Sequence, residues 1–302
     1  MTSTNPPTEP QATASSDGLL DFPAASAVKL EPHLPPVTST STSTNTSTNT
    51  NTNAKKPFVT LTFATSLDSS LSLAPGVRTT LSGPQSKAMT HYLRSRHAAI
   101  LVGVGTAVAD DPGLNCKILS PFVAEAGVRE QHPNQPRPII LDPSARWEVN
   151  EQSKVIQLAR LGQGLGPFIF VAKEVSSVSE ERRAVVESVG GKFVHVKSVE
   201  GEGFAWADVL RAIKKEGLDS VMIEGGGSVI NSLLTLEQGG EQELVDSVIV
   251  TIAPTWLGAG GVLVCPPRVI GKDGQPAPPV RLRDVSWHPL GEDVVLCGKI
   301  LR

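Results

Sequence analysis

Large apolar side chains are sparse over the first 56 positions and recur in short periodic bursts from Pro57 onward. Residues 38–53 are Thr, Ser and Asn alone. Such a stretch buries too little surface to offset its chain entropy. Residues 1–56 are therefore expected to form a disordered, low-complexity extension, and residues 57–302 the folded domain. In that domain, residues 58–63 alternate and are rich in β-formers, which predicts a first strand. Ser82-Gly83-Pro84 supplies a cap, a turn and a proline suited to the first helical position. Ala88, Met89, Tyr92 and Leu93 then share one face of a helix reaching Arg96. Residues 98–102 and 137–141 read as buried strands.

From there short and long bursts alternate. Strands are expected at 155–158, 168–171, 193–196 and 220–224, and helices at 180–189, 206–215 and 228–236. This alternation implies right-handed crossovers and an α/β fold with a mostly parallel central sheet flanked by helices. Residues 244–252 and 293–299 are strand-like, with Pro- and Gly-rich loops between them and no helix. They suit an antiparallel C-terminal edge.

Charge narrows the partners. The chain has 27 basic and 30 acidic residues. The first 54 residues hold one base (Lys29) and four acids (Glu9, Asp17, Asp21, Glu31), so the remainder is neutral. That argues against nucleic acid or an anionic membrane as the main partner. No apolar run approaches the ~18 residues of a membrane span, and the N-terminus lacks a secretory pattern. Three well-separated cysteines with no Cys-x-x-Cys point to a reducing compartment, the cytoplasm, and to no metal site.

The richest stretch chemically is Val221-Met222-Ile223-Glu224-Gly225-Gly226-Gly227-Ser228. It reads as a strand, a tight turn and a helix N-terminus. Consecutive glycines let a ligand approach the backbone closely, and the free N–H groups of a first helical turn attract phosphate. Glu224, at the strand's end, is placed to meet a polar ligand. A second glycine turn, Gly103-Val104-Gly105-Thr106, lacks the third glycine of a Rossmann fingerprint, since Val108 stands there. Thr106 and Asp110 lie on one side of that turn, where they bind a nucleotide or simply cap the turn. On the helix after Pro84, Lys87, His91 and Arg94 share a face opposite the apolar one. Spacing alone favours a solvated stripe there; the alternative is a phosphate-binding face. A zinc-deaminase signature, a nucleophile elbow and a P-loop lysine are all missing, which leaves the chemistry to a cofactor.

In order along the chain, Thr65-Ser66-Leu67-Asp68, Ser82-Gly83-Pro84, Leu93-Arg94 through Val102-Gly103, Gly105-Thr106, Asp110-Asp111-Pro112-Gly113-Leu114, Ile139-Ile140-Leu141-Asp142 and Glu224-Gly225-Gly226-Gly227 resemble the reductases of riboflavin biosynthesis. The likeness is to the monofunctional fungal and archaeal type rather than to the bacterial type with a fused deaminase. It implies a dihydrofolate-reductase-like fold and a homodimer. It also implies NADPH as donor for reducing the ribosylamino side chain of a phosphorylated pyrimidine to the ribitylamino form. By position, Thr106, Asp110, Gly225, Gly226, Gly227, Ser228 and Ser144 would hold the cofactor. Arg94, Leu114, Lys117 and Glu224 would face the substrate. No proton donor is singled out. Two departures stand out: Ser69 follows the Ser-Leu-Asp where glycine is common, and Pro143 takes the place of a serine, with Ser144 next and Arg146 nearby to compensate. A dihydrofolate reductase proper, or a non-catalytic nucleotide-binding protein of the same fold, are the alternatives.

Overall fold

The computed structural model describes residues 18–36, 56–119, 134–199, 203–238, 243–271 and 273–301. Its centre is β1 (Phe58–Thr65), buried along most of its length. The chain then forms β2 (Ser70–Ser72), α2 (Pro84–Ser95), β3 (Ala99–Gly103), α3 (Val104–Asp110), β4 (Arg137–Leu141), α4 (Lys154–Arg160), β5 (Phe168–Val171), α5 (Glu180–Glu187) and β6 (Lys192–His195). After a small hairpin, β7 (Ser198–Val199) and β8 (Gly203–Phe204), come α6 (Trp206–Lys215), β9 (Ser220–Gly225), α7 (Gly227–Glu237), β10 (Ser247–Ile252), β11 (Val262–Leu263), β12 (Leu282–Leu290) and β13 (Asp293–Ile300). A further helix, α1 (Ala24–Leu30), precedes all of these.

Nine of the described strands form one sheet in the order β12-β13-β10-β1-β9-β3-β4-β5-β6, and β2 pairs separately with β11. Every pairing from β10 to β6 is parallel, and β13 and β12 join antiparallel. The chain therefore starts mid-sheet, works outward to β6, and returns to insert β9 beside β1. Reversing direction under a right-handed crossover rule moves the later helices to the other face. Accordingly α6 and α7 cover Leu61, Leu101 and Ile223, whereas α2 packs on Met222 and Ile249 and α4 and α5 on Ile100 and Ile140. Ligands of open parallel sheets bind beyond the carboxyl ends of strands at such a reversal. Here that is the rim where β1, β9 and β3 end. No described helix is long and apolar enough to cross a membrane.

Three expectations change. The strand expected at 155–158 is α4, in which Val155, Ile156 and Leu158 are buried against β3 and β4. The β-branched pair reads locally as strand, but Lys154 N–H donates to Asp111 and the segment packs as a helix. The strand expected from 244 starts at Ser247, because the Glu237 carboxylate accepts from the N–H groups of Leu244 and Val245 and holds them in a turn. The largest correction concerns the N-terminus. Residues 1–17 and 37–55, with the Thr/Ser/Asn tract, lie outside the described residues. Residues 18–36, however, are folded: Phe22, Ala27, Leu30 and Leu34 are buried against Ala88, Met89, Tyr92 and Leu93 of α2 and against β13. Burying a large apolar side chain contributes about 1.5–3 kcal/mol. A few well-placed residues therefore dock a segment whose average composition is polar.

Candidate active site

Two glycine turns meet at the rim. β3 and β9 pair in register up to Leu101 opposite Ile223, and then Val102 faces Gly225. Glu224 is thus the extra residue of a β-bulge, a device that re-aims side chains at sheet ends. Gly225 and Gly226 follow with φ of +86° and +102°, which L side chains rarely adopt. A Cβ on Gly225 would lie 2.6 Å from Ile230, and one on Gly226 would lie 3.0 Å from Thr106 Oγ1. Thr106 Oγ1 also donates to Gly225 O at 3.4 Å. The first turn of α3 therefore lies against the turn that starts α7.

Thr106 and Asp110 share one face of α3, which ends at Asp111 in the left-handed conformation. The adjacent turn after β4 is built by the buried Asp142 carboxylate, which accepts from the N–H groups of Arg146 (3.0 Å) and Trp147 (2.8 Å). That turn leaves Ser144 and Arg146 exposed. The Arg146 guanidinium reaches to 3.9 Å from where a Gly105 Cβ would stand. Ser228 is exposed in the first turn of α7. The residues expected at a cofactor, Thr106, Asp110, Ser144, Gly225, Gly226, Gly227 and Ser228, thus come from elements that end at one rim. Gly225 and Gly227 are buried, and a Cβ on Gly227 would lie 2.4 Å from Val262, so these glycines serve close packing of β9, α3, α7 and β11. Gly226, Ser228, Ser144 and Arg146 are the parts of the rim left accessible to a dinucleotide.

On the other side of Glu224 stands α2. Arg94 donates Nε and Nη2 to the two oxygens of Glu224, each at 2.8 Å, and Nη1 to Asn115 O at 3.0 Å. His91, one turn earlier, accepts the Lys117 N–H on Nδ1 at 2.9 Å. Burial first, then the charges of Arg94, Lys87 and Lys117, push the His91 pKa down to about 3. The imidazole stays neutral, while three cations gather around it. Neither Lys87 nor Lys117 has an ion-pair partner among the described residues. Lys87 is exposed, Lys117 half-buried and His91 buried, so the face expected to be a solvated stripe is only partly solvated.

Residues 57–296 match the RibD C-terminal domain family. The chain belongs to that family. It is 40% identical over 245 residues to the 2,5-diamino-6-ribosylamino-4(3H)-pyrimidinone 5′-phosphate reductase of Saccharomyces cerevisiae, covering 81% of this chain and 87% of the relative. It is 38% identical over 249 residues to the same-named enzyme of Debaryomyces hansenii, covering 82% and 91%. Its fold aligns with the S. cerevisiae riboflavin biosynthesis reductase Rib7 at a TM-score of 0.66 and 33% identity, across 91% of this chain and 98% of that one. Acinetobacter baumannii RibD shares the fold at a TM-score of 0.60 and 20% identity, over 83% of this chain and 60% of that one. A RibD-family chain this similar to named reductases is an oxidoreductase.

Within this family member, one expected substrate residue sits differently. Leu114 as a whole is 1% exposed in the core under α3 and α4, with φ +50°. Neither its side chain nor its main chain is open to solvent. Several structural supports were not legible in the sequence. Asn115 ties Arg94 to the loop after α3. Asp68 accepts from Ser66 and from the N–H groups of Leu257 and Gly258, fixing the loop after β10 beside β1. Asn231 of α7 donates to Leu263 O and accepts from Cys265 N–H, pinning β11 to the start of α7. The signal for Asn231 was the lone amide of α7.

Proposed function

We propose that this chain uses NADPH to reduce the ribosylamino side chain of 2,5-diamino-6-ribosylamino-4(3H)-pyrimidinone 5′-phosphate to the ribitylamino form. The observation that carries the reading is the junction at Glu224. Its own carboxylate binds Arg94, in the cation cluster, and the next two residues form the glycine cradle. A phosphorylated substrate and a dinucleotide would there lie on either side of one residue.

NADPH supplies a hydride when bound. The rest is positioning, which by itself lowers a barrier substantially. In this reading the 225–227 turn accommodates the pyrophosphate against backbone N–H groups, and Thr106 and Asp110 fix the adjoining nucleotide. Lys87 and Lys117 neutralise the 5′-phosphate, and the paired Arg94 and Glu224 form the polar wall facing the pyrimidine. Ring opening of the ribosylamino group gives an imine; hydride adds at its carbon and a proton at its nitrogen. Preference for NADPH over NADH rests on Arg146, exposed beside Gly105, with Ser144 on the same turn completing a 2′-phosphate pocket.

The assembly in this proposal is a homodimer in the cytoplasm. Three cysteines with no Cys-x-x-Cys suit that compartment. The pairing register aligns Phe63, Val250, Leu296 and Trp287 in a row across four strands on one sheet face. Trp287 is 56% exposed at its outer end, a position a second copy would cover. The deciding experiment follows NADPH oxidation with the pyrimidine phosphate, with NADH and dihydrofolate as controls. Oxidation with dihydrofolate but not with the pyrimidine would overturn the substrate assignment.

A further inference from the structure

We infer that residues 18–36 act as a positioning strap for the substrate half of the site, an inference that rests on the substrate reading above. The strap grips both elements that carry the cation cluster, and it does so from behind. Leu20 pairs with Ile118 in a parallel bridge: its N–H donates to Lys117 O at 2.9 Å, and its carbonyl accepts from Leu119 N–H at 2.9 Å. The main chain on each side of Ile118, including that of Lys117, is therefore held by Leu20. The other grip is on α2. The Phe22 ring stacks on Tyr92 with centroids 5.3 Å apart. The Glu31 carboxylate accepts from the Tyr92 hydroxyl and pairs with Arg96. Arg96 also donates to Pro35 O at 3.3 Å.

Tyr92 and Arg96 are four residues apart and share one side of α2. Arg94, between them, faces Glu224 on another side. The strap thus fixes the rotation of α2 that presents Arg94 and His91, and the height of the loop that presents Lys117. Among the described residues these two elements also meet where His91 touches the N–H of Lys117 and the thiol of Cys116 and where Arg94 reaches Asn115 O, and Gln135 holds the Cys116 main chain from the other side. The strap's contacts described above reach α2, residues 117–119 and the sheet edge. The cofactor turns at 103–106, 142–146 and 225–227 lie on other elements. Its loosening should therefore weaken substrate binding and spare cofactor binding, a split that general destabilisation would not produce.

The test uses the full chain. Leu20→Pro removes the N–H that Lys117 accepts, and Glu31→Gln keeps an acceptor for Tyr92 but removes the charge opposite Arg96. KM for the pyrimidine phosphate, the NADPH dissociation constant and Tm are measured for each. The affinity of ribose 5-phosphate, which carries the phosphorylated arm alone, is titrated in parallel. Each variant should raise KM and weaken ribose 5-phosphate by roughly five- to tenfold, the scale of one lost hydrogen bond, with the NADPH constant steady within about twofold. Should Leu20→Pro not fold, Glu31→Gln and Phe22→Leu carry the comparison. A parallel rise in both constants, no change in either, or a parent that does not hold ribose 5-phosphate would each overturn the inference. If the parent holds ribose 5-phosphate but does not turn over the pyrimidine, the substrate reading fails while the strap is still judged on the phosphate titration.

Discussion

Arg94 and Glu224, 130 residues apart in sequence, meet in two parallel hydrogen bonds of 2.8 Å each. Their side chains are 14% and 20% exposed, so neither is well solvated without the other. Fork-to-fork pairing of this kind fixes orientation as well as charge. Arg94→Ala is expected to lower stability by about 1–3 kcal/mol, less than a fully buried pair because both groups see some water. It should also raise substrate KM about ten- to a hundredfold. Arg94→Lys should recover only part of this, since an ammonium cannot span both oxygens. Urea unfolding of Arg94→Ala, Glu224→Gln and the double variant checks the coupling; strictly additive losses would mean the two side chains act independently.

Gly226 gives a second test. Its φ of +102° and the 3.0 Å approach to Thr106 make any side chain strained there, apart from any ligand. Gly226→Ala should cost about 1–3 kcal/mol of stability and weaken NADPH further. Thr106→Val, which keeps shape and loses the hydroxyl, should weaken NADPH with little change in Tm. Unaltered cofactor affinity in both variants would move the pyrophosphate away from this turn.

Cofactor choice depends on Arg146 in the proposed reading. Arg146→Ala should reduce NADPH affinity about ten- to a hundredfold, the range for a charge-assisted contact, and leave NADH affinity unchanged. Fluorescence titration with both nucleotides reads the ratio. An equal loss for the two would assign Arg146 a role unrelated to the 2′-phosphate.

Acid should destabilise the fold through two histidines. Burial lowers the pKa of His97 to about 4 and that of His91 to about 3, from an ordinary 6.5. His97 accepts from Thr60 Oγ1 at 2.8 Å and donates from Nδ1 to Leu93 O at 2.7 Å, so its neutral form is built into the core. The folded state thus binds fewer protons than the unfolded state below pH 6.5. Stability from these groups is fully present above that pH and is lost as pH falls toward about 4 for His97 and about 3 for His91. Between pH 6.5 and 5 each contributes a fall of roughly 2 kcal/mol. Denaturant melts of His97→Gln should begin lower at pH 7 but decline less steeply with acid. A slope equal to the parent's would refute the linkage.

The homodimer proposal predicts that Trp287→Arg yields monomers by light scattering. Trp287 is exposed at the end of a row that runs across the sheet to Phe63, so the substitution should leave Tm of the isolated chain nearly unchanged. A dimer that persists would place the contact on another face.

The sheet and its flanking helices were readable because their patterns are local. Residues 206–215 carry a clear helical stripe, and 137–141 and 168–171 are apolar runs bounded by turn residues. The two glycine turns, Gly225-Gly226-Gly227 and Gly103-Val104-Gly105, were likewise visible, since each follows an apolar run. What could not be read depended on distant partners. The Arg94–Glu224 pair requires α2 to pack beside the bulge in β9. The fate of Leu114 depends on a left-handed backbone that turns its side chain inward. Val155 and Ile156 look like strand until the surface that receives them exists. Phe22, Leu30 and Leu34 look isolated because the face that collects them is formed by residues dozens of positions later.

That last group has a practical corollary. The match to the family model begins at residue 57, yet Phe22 is 1% exposed and Leu30 2%. The span of the family model and the hydrophobic core therefore have different borders here. An expression fragment trimmed to the shared span would open an apolar wound along α2 and β13, and its poor solubility would be mistaken for a property of the enzyme.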